Sequence, residues 1–427
     1  MEGHSFRSII LCGAALLLAG RPADAGQIRL LAPKVPGNAP AALHSRNGFG
    51  FLHNGKLPEA EKEFQASLSA DPKRVDALIG LAEVARERKQ VSQEEAWLKK
   101  ALAVDGGTAL GYRAWAHYQA ASFRLPEAET AFRKAAAMEP SSPDALLELG
   151  DLYLVAGKPA MAVKAYADAV KRSPASFDAH MAHGAALAGE NQFEPAIAEY
   201  REAARLAPSS AAPLHSIGLA YSASGQRDKA IEAFGAAIRV NGRFELAWIS
   251  RGDAWEAKGD AAKALADYNQ ALTLNPKAGI VKFKIGLVYL VSGRQEEARR
   301  AFTEAVQLDP GNADAWNNLA WIAAEKRTDL DHALEWARKA VQIGSGNPRF
   351  IDTLCWVYRA RRELDLAAQT VEKFPGYDRS PELLYHLALV DSERGRKPEA
   401  IAALNKSLRL GDFPELADAR KLLATLR

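Results

Sequence analysis

Nine helix-breaking residues stand in one register in this chain. Pro72, Gly106, Pro140, Pro174, Pro208, Gly242, Pro276, Pro310 and Gly344 follow one another every 34 residues, each closing a helix-forming stretch such as LSADP, AAMEP, LTLNP or VQLDP. A helix cannot run through such a column of breakers, so the column fixes the length of the structural unit before anything else is known. A unit this short, with room for two helices and a turn, cannot bury its own apolar side and must stack on its neighbours. The 427 residues would otherwise suit two or three ordinary domains. The period predicts one repeated hairpin instead, and an all-α fold.

The residues inside the unit agree. Counting from Ala41, Val75, Ala109, Pro143, Phe177, Ala211, Glu245, Gly279 and Ala313, position eight is Gly or Ala: Gly48, Ala82, Ala116, Gly150, Gly184, Gly218, Gly252, Gly286 and Ala320. Small residues there let two helices approach closely. Position twenty is Ala in most units (Ala60, Ala128, Ala162, Ala196, Ala230, Ala264, Ala298), and position twenty-four carries a ring: Phe64, Phe132, Tyr166, Tyr200, Phe234, Tyr268 and Phe302. Gly55, Gly157, Gly225, Gly259, Gly293 and Gly395, with Asn191, fall between the two helices, where a left-handed backbone is needed. Pro58, Pro126, Pro159, Pro195 and Pro398 follow in the first turn of the second helix, where a missing N–H is harmless.

This pattern closely resembles the tetratricopeptide repeat family over nearly the whole chain after residue 40. The resemblance implies a right-handed superhelical solenoid of about eleven antiparallel hairpins, a scaffold for binding other proteins rather than an enzyme, and a concave wall lined by the first helix of each unit. Units are expected to start near residues 41, 75, 109, 143, 177, 211, 245, 279, 313, 348 and 381, within a solenoid spanning 41–412, with one extra residue in the turn from Arg327 to Leu330 and a shortened tenth unit. Residues 413–427 read as a capping helix whose Leu416, Leu422, Leu423 and Leu426 cover the last hairpin.

The first 25 residues have the plan of a cleavable signal peptide: His4 and Arg7, an apolar run from Ile9 to Ala19, then Ala23-Asp24-Ala25. The run is shorter than the roughly 18–20 residues that span a bilayer. Cleavage is expected after Ala25, giving a periplasmic or secreted protein with no integral membrane segment. Residues 26–40, rich in Pro and Gly, read as a flexible linker. Cys355 would be the one cysteine left, so no internal disulfide supports the fold. A net charge of +3 is too small to point to nucleic acid.

Within each first helix, positions two, five, nine and twelve form a stripe facing the groove. Candidate partner-binding residues on it are Leu219, Ile249, Phe283, Leu287, Leu290, Trp321, Trp356, Tyr385 and Leu389, joined by Leu147, Leu154 and Met181. Aromatic anchors in such a groove would supply most of the affinity for a segment of another protein. Packing between units is the competing reading of the same stripe. A carbohydrate-binding alternative, for a component of an exopolysaccharide pathway, rests on Trp321, Trp356 and Tyr385 stacking on sugar rings beside Asn317 and Asp352. The last units, NNLAWIAAEK through DTLCWVYRA, also look similar to exported repeat proteins of exosortase and exopolysaccharide gene clusters. A scaffold or adaptor in polysaccharide export, secretion or pilus assembly is therefore expected.

No catalytic residue, metal site or cofactor is assigned. The chain has no GxxxxGK[ST] phosphate loop, HExxH motif or GxSxG elbow. His180 and His183, three apart on one helix, could share a metal, but they occupy positions that normally pack. Cys355 stands at the small-residue position eight of its unit, which favours packing over reactivity.

Overall fold

The computed structural model describes residues 40–427, so the assignments to residues 1–39, the signal peptide and nearly all of the linker, lie outside the described residues. Among the described residues there are 23 α-helices and no strand. They fall into two compact units, residues 40–241 and 242–427.

The first unit holds six hairpins: α1 (Pro40–His53) with α2 (Leu57–Ala70), α3 (Val75–Glu87) with α4 (Val91–Ala103), α5 (Ala109–Ala121) with α6 (Leu125–Met138), α7 (Asp144–Val155) with α8 (Pro159–Arg172), α9 (Phe177–Gly189) with α10 (Phe193–Leu206), and α11 (Ala212–Ala223) with α12 (Arg227–Val240). The second holds five hairpins and a last helix: α13 (Glu245–Ala257) with α14 (Ala261–Leu274), α15 (Gly279–Val291) with α16 (Gln295–Leu308), α17 (Ala313–Lys326) with α18 (Leu330–Ile343), α19 (Pro348–Ala360) with α20 (Leu364–Glu372), α21 (Pro381–Glu393) with α22 (Lys397–Leu410), and α23 (Leu416–Leu426). Within each unit, every helix packs on its neighbours in sequence. The first helix starts at Pro40, one residue before the expected boundary.

The small and large columns of the sequence meet as expected. Ala60, Ala128, Ala162, Ala196, Ala230, Ala264 and Ala298, continued by Ala333, Ala367 and Ala400, are all fully buried. In the second hairpin this column holds Glu94 instead, and that carboxyl too is buried. A Cβ placed on Gly48 would lie 2.6 Å from the Phe64 ring, and one on Gly184 would lie 2.7 Å from Tyr200. In these hairpins the absence of a side chain at position eight lets the ring of position twenty-four lie close against the opposite helix, whereas in the third hairpin Ala116 and Phe132 share the core.

All eleven turns between paired helices use the left-handed conformation at one register. Gly55, Gly157, Gly225, Gly259, Gly293 and Gly395 do so, and so do Lys89, Phe123, Asn191, Arg327 and Arg362. The next residue's N–H closes the helix by reaching back five residues, as from Arg294 to Tyr289 at 2.8 Å. In the ninth hairpin the extra residue brings a second left-handed residue, Asp329. In the tenth, α20 stops after nine residues, which accounts for the shorter unit. On α23, Ala419 and Leu423 are buried and Leu416, Leu422 and Leu426 partly so, packed with Phe413 against Leu384, Ala388 and Leu404 of the last hairpin. No helix among the described residues is long and apolar enough to cross a membrane.

Candidate functional site

In the second unit the groove stripe divides into an open part and a covered part. Ile280 and Leu246, both at position two, are 51% and 46% exposed. Phe283 and Leu287 follow Ile280 at helical spacing on α15 and are half-buried, as is Trp321 on α17; all three pack on the core that holds Phe302 and Leu319. Phe283 lies with its ring centre 5.7 Å from that of Phe302. These five side chains give the first helices of adjacent hairpins a row of accessible apolar surface. Leu246 and Ile280 were missed among the candidates, although position two belongs to the predicted stripe.

Three candidates are corrected. Ile249, Leu290 and Tyr385 are buried, at 8%, 2% and 7% exposure, and belong to the packed core. The reasons are local: Ile249 sits with Tyr268 and Ile285, Leu290 with Phe302 and Ile322, and Tyr385 is covered by Phe413, 6.0 Å away between ring centres. Leu389, half-buried, packs with the same final cluster. In the first unit, Leu219 is half-buried, Met181 likewise, Leu147 leans on the core, and Leu154 is 45% exposed.

Trp356 is half-buried and already engaged by its own molecule. The Arg359 guanidinium lies 4.4 Å over its ring, and the His386 ring is 5.1 Å away. His386 in turn pairs with Asp352, and Arg359 donates to Glu393 at 2.8 Å. The polar groups expected to serve a sugar are thus committed or hidden: Asp352 is held by His386, and Asn317 is only 6% exposed, its Oδ1 inaccessible and without a hydrogen-bond partner.

Fixed carboxylates flank the open row. The Tyr268 hydroxyl, buried behind position eight, donates to Asp253 at 2.6 Å and lies 2.9 Å from Glu256. Lys284 of the next hairpin reaches Asp253 at 2.9 Å. Burial pushes the Glu256 carboxyl above its ordinary range, outweighing the Tyr268 hydrogen bond. In the first unit the equivalent stripe is more ionic. Arg113 holds Glu148 at 2.6 Å, His117 stands 3.4 Å from the same carboxylate, and Tyr166 donates to Asp151 at 2.6 Å. Burial raises Glu148, yet Arg113 and His117 outweigh it and hold the carboxyl down at about 2.

His180 and His183 converge on one carboxylate, with Nδ1 atoms 2.5 Å and 3.1 Å from Glu199, and His180 also meets the Pro174 carbonyl at 3.0 Å. No group of three or more residues suited to hold a metal occurs among the described residues. Cys355 is fully buried, and burial pushes its thiol far up, away from the nucleophilic thiolate.

Among solved structures the chain is similar to yeast Tom70, at 14% identity over 90% of this chain and 95% of that one, with a TM-score of 0.43. It is similar also to the Cut9–Hcn1 hetero-tetramer of the APC/C, at 16% identity, 90% and 84% coverage and a TM-score of 0.45. A tetratricopeptide repeat protein from Parabacteroides merdae matches at 16% identity, covering 58% of this chain and 98% of its own, with a TM-score of 0.43. No curated protein matches. A family model described as tetratricopeptide repeat matches residues 50–109, 113–162, 147–211, 215–279 and 283–348, well over half of the chain. With stacked hairpins of 34 residues and small-against-ring packing in between, the chain belongs to the tetratricopeptide repeat family, whose members are typically non-catalytic protein-interaction scaffolds.

Proposed function

We propose that this protein is a non-catalytic adaptor of the cell envelope that docks apolar segments of other proteins along α13, α15 and α17, the first helices of their hairpins. The observation that carries the reading is the row of Leu246, Ile280, Phe283, Leu287 and Trp321, open to solvent at position two and anchored in the core at positions five and nine. A partner side chain entering beside Ile280 would meet apolar surface that is already positioned by packing, so little ordering entropy opposes binding. Asp253, held by Tyr268 and Lys284, adds a polar rim. The envelope assignment rests on the signal-type arrangement of residues 1–25, and service in polysaccharide export, secretion or pilus assembly belongs to the same proposal.

The test is affinity capture from the native envelope with wild type, Ile280→Glu and, as a control, Val91→Glu, where Val91 is a similarly exposed apolar residue on a second helix, α4. Ile280→Glu is expected to lose prey proteins that Val91→Glu retains, with unchanged far-UV circular dichroism. Identical preys for both variants would place docking elsewhere on the chain. Recovery of the protein in the cytosolic fraction would overturn the envelope assignment.

A further inference from the structure

Phe123 stands in the turn between α5 and α6 with two costs against it. It is 90% exposed, and its backbone is left-handed, with φ of 58°. Six of the eleven equivalent turns use glycine, which carries neither cost. A bulky residue in this conformation is strained by roughly 1–2 kcal/mol. A strained backbone carrying a bare aromatic ring is explained if something outside the monomer covers the ring.

The turn edge also carries a matching depression. Leu125, Pro126, Glu129, Leu152, Tyr153, Ala156 and Lys158 line a shallow cavity of about 80 Å³. A cavity of about 150 Å³ encloses a whole benzene, so this one seats the leading part of a ring. Its first lining residue comes two positions after Phe123, and next to Ala156 stands Val155, 72% exposed. The rim carries one acid and one base, Glu129 and Lys158.

From this arrangement we infer that the turn edge of α5–α8 is a self-association surface, in which Phe123 of one copy enters the Leu125–Tyr153 cavity of a second copy and the reverse contact forms at the same time. A two-fold contact requires one patch to carry both knob and hole, and this patch does. Of the rim charges, Glu129 is held by Arg133 of its own copy at 3.0 Å, so the contact rests on the fit of ring to depression. The ring, the strain and the depression are thereby accounted for by one partner, a second copy of this chain. The contact is small, and the association is of the weak, reversible kind.

Sedimentation of the full chain up to about 1 mM, the range in which weak complexes form, tests the inference. Wild type is expected to show a concentration-dependent monomer–dimer equilibrium. Phe123→Gly, which removes the knob and relieves the turn, and Ala156→Trp, which fills the hole, are each expected to stay monomeric with helical circular dichroism. Mixed together they should form a heterodimer weaker than the wild-type dimer, because one knob and one hole remain. A wild-type monomer throughout this range would overturn the inference and leave Phe123 to a different partner. Dimers of Phe123→Gly as tight as wild type would overturn it as well. Should Ala156→Trp fail to fold, the comparison of wild type with Phe123→Gly still decides.

Discussion

Placing one methyl group at two glycines in this chain should have opposite effects. A Cβ on Gly252 would sit 2.6 Å from the Tyr268 ring, where ordinary contact begins near 3.4 Å, so the ring must retreat by about 0.8 Å. It has little freedom to do so. Tyr268 is fully buried, and its hydroxyl is held at the far end by Asp253 at 2.6 Å and Glu256 at 2.9 Å. Overpacking costs about 1–3 kcal/mol, and a buried hydrogen bond pulled out of line about 1 kcal/mol more. Better helix propensity returns about 1 kcal/mol. Gly252→Ala is therefore expected to destabilise the α13–α14 hairpin by about 2 kcal/mol. Gly50, within α1, has nothing within 4 Å of a Cβ. There only the propensity gain remains, and Gly50→Ala should stabilise by about 0.5–1 kcal/mol. Hydrogen exchange read by mass spectrometry resolves the two hairpins separately, which a global melt of a repeat protein does not. The second hairpin, where Ala82 packs with Leu98, supplies a rescue: Gly252→Ala with Tyr268→Leu should be more stable than the two single effects added. A Gly252→Ala protein as well protected as wild type would refute the view that the close approach of Tyr268 dictates glycine at residue 252.

Two further outcomes follow from irregular positions. Burial raises the Glu94 carboxyl to about 7, with the nearby Glu83 adding to the effect and Arg86 opposing it. A carboxyl bound more tightly to its proton when folded contributes stability below about pH 4.5 that is lost as pH rises through about 7, so Glu94→Gln should gain about 3 kcal/mol at pH 8 and nothing at pH 4. Equal gains in urea unfolding at both values would show that the carboxyl ionises as readily in the folded chain as in the unfolded one. Lys89 adopts φ of 59° where most hairpins have glycine. Lys89→Gly should raise the unfolding free energy by about 1 kcal/mol; a loss would mean that the Lys89 side chain supports the turn.

The repeat was legible because it is written in residue size and backbone tolerance, which act locally. A column of breakers, a column of Gly or Ala and a column of rings each have one physical meaning wherever they recur. The turn register was legible from Gly55 and its equivalents, and Lys89, Phe123 and Arg362 were overlooked only because their side chains disguise a backbone that behaves as glycine does. Burial along the stripe was less legible. Phe283 and Ile249 both stand at position five of a first helix, yet one is half-buried and the other closed, because closure depends on what the adjoining hairpin sends across, Ile285 in the case of Ile249. Trp356 is capped by His386 from the next hairpin, and Tyr385 by Phe413 from beyond the last. Pairings between residues about one repeat apart leave no mark in the spacing of a single helix. Glu94 was legible in principle as the one acid in a column of alanines.

The turn between α17 and α18 shows how such a chain can change length. Its extra residue leaves the closing bond intact, with the Thr328 N–H on the Ala323 carbonyl at 3.0 Å. A second left-handed residue, Asp329, then restarts the helix, and Ala333 returns to the fully buried position that alanine holds elsewhere. Growth at this bend is therefore silent in the interior. A peptide tag or reporter loop spliced beside Thr328 would ride on the outside of the array without rebuilding what lies beneath.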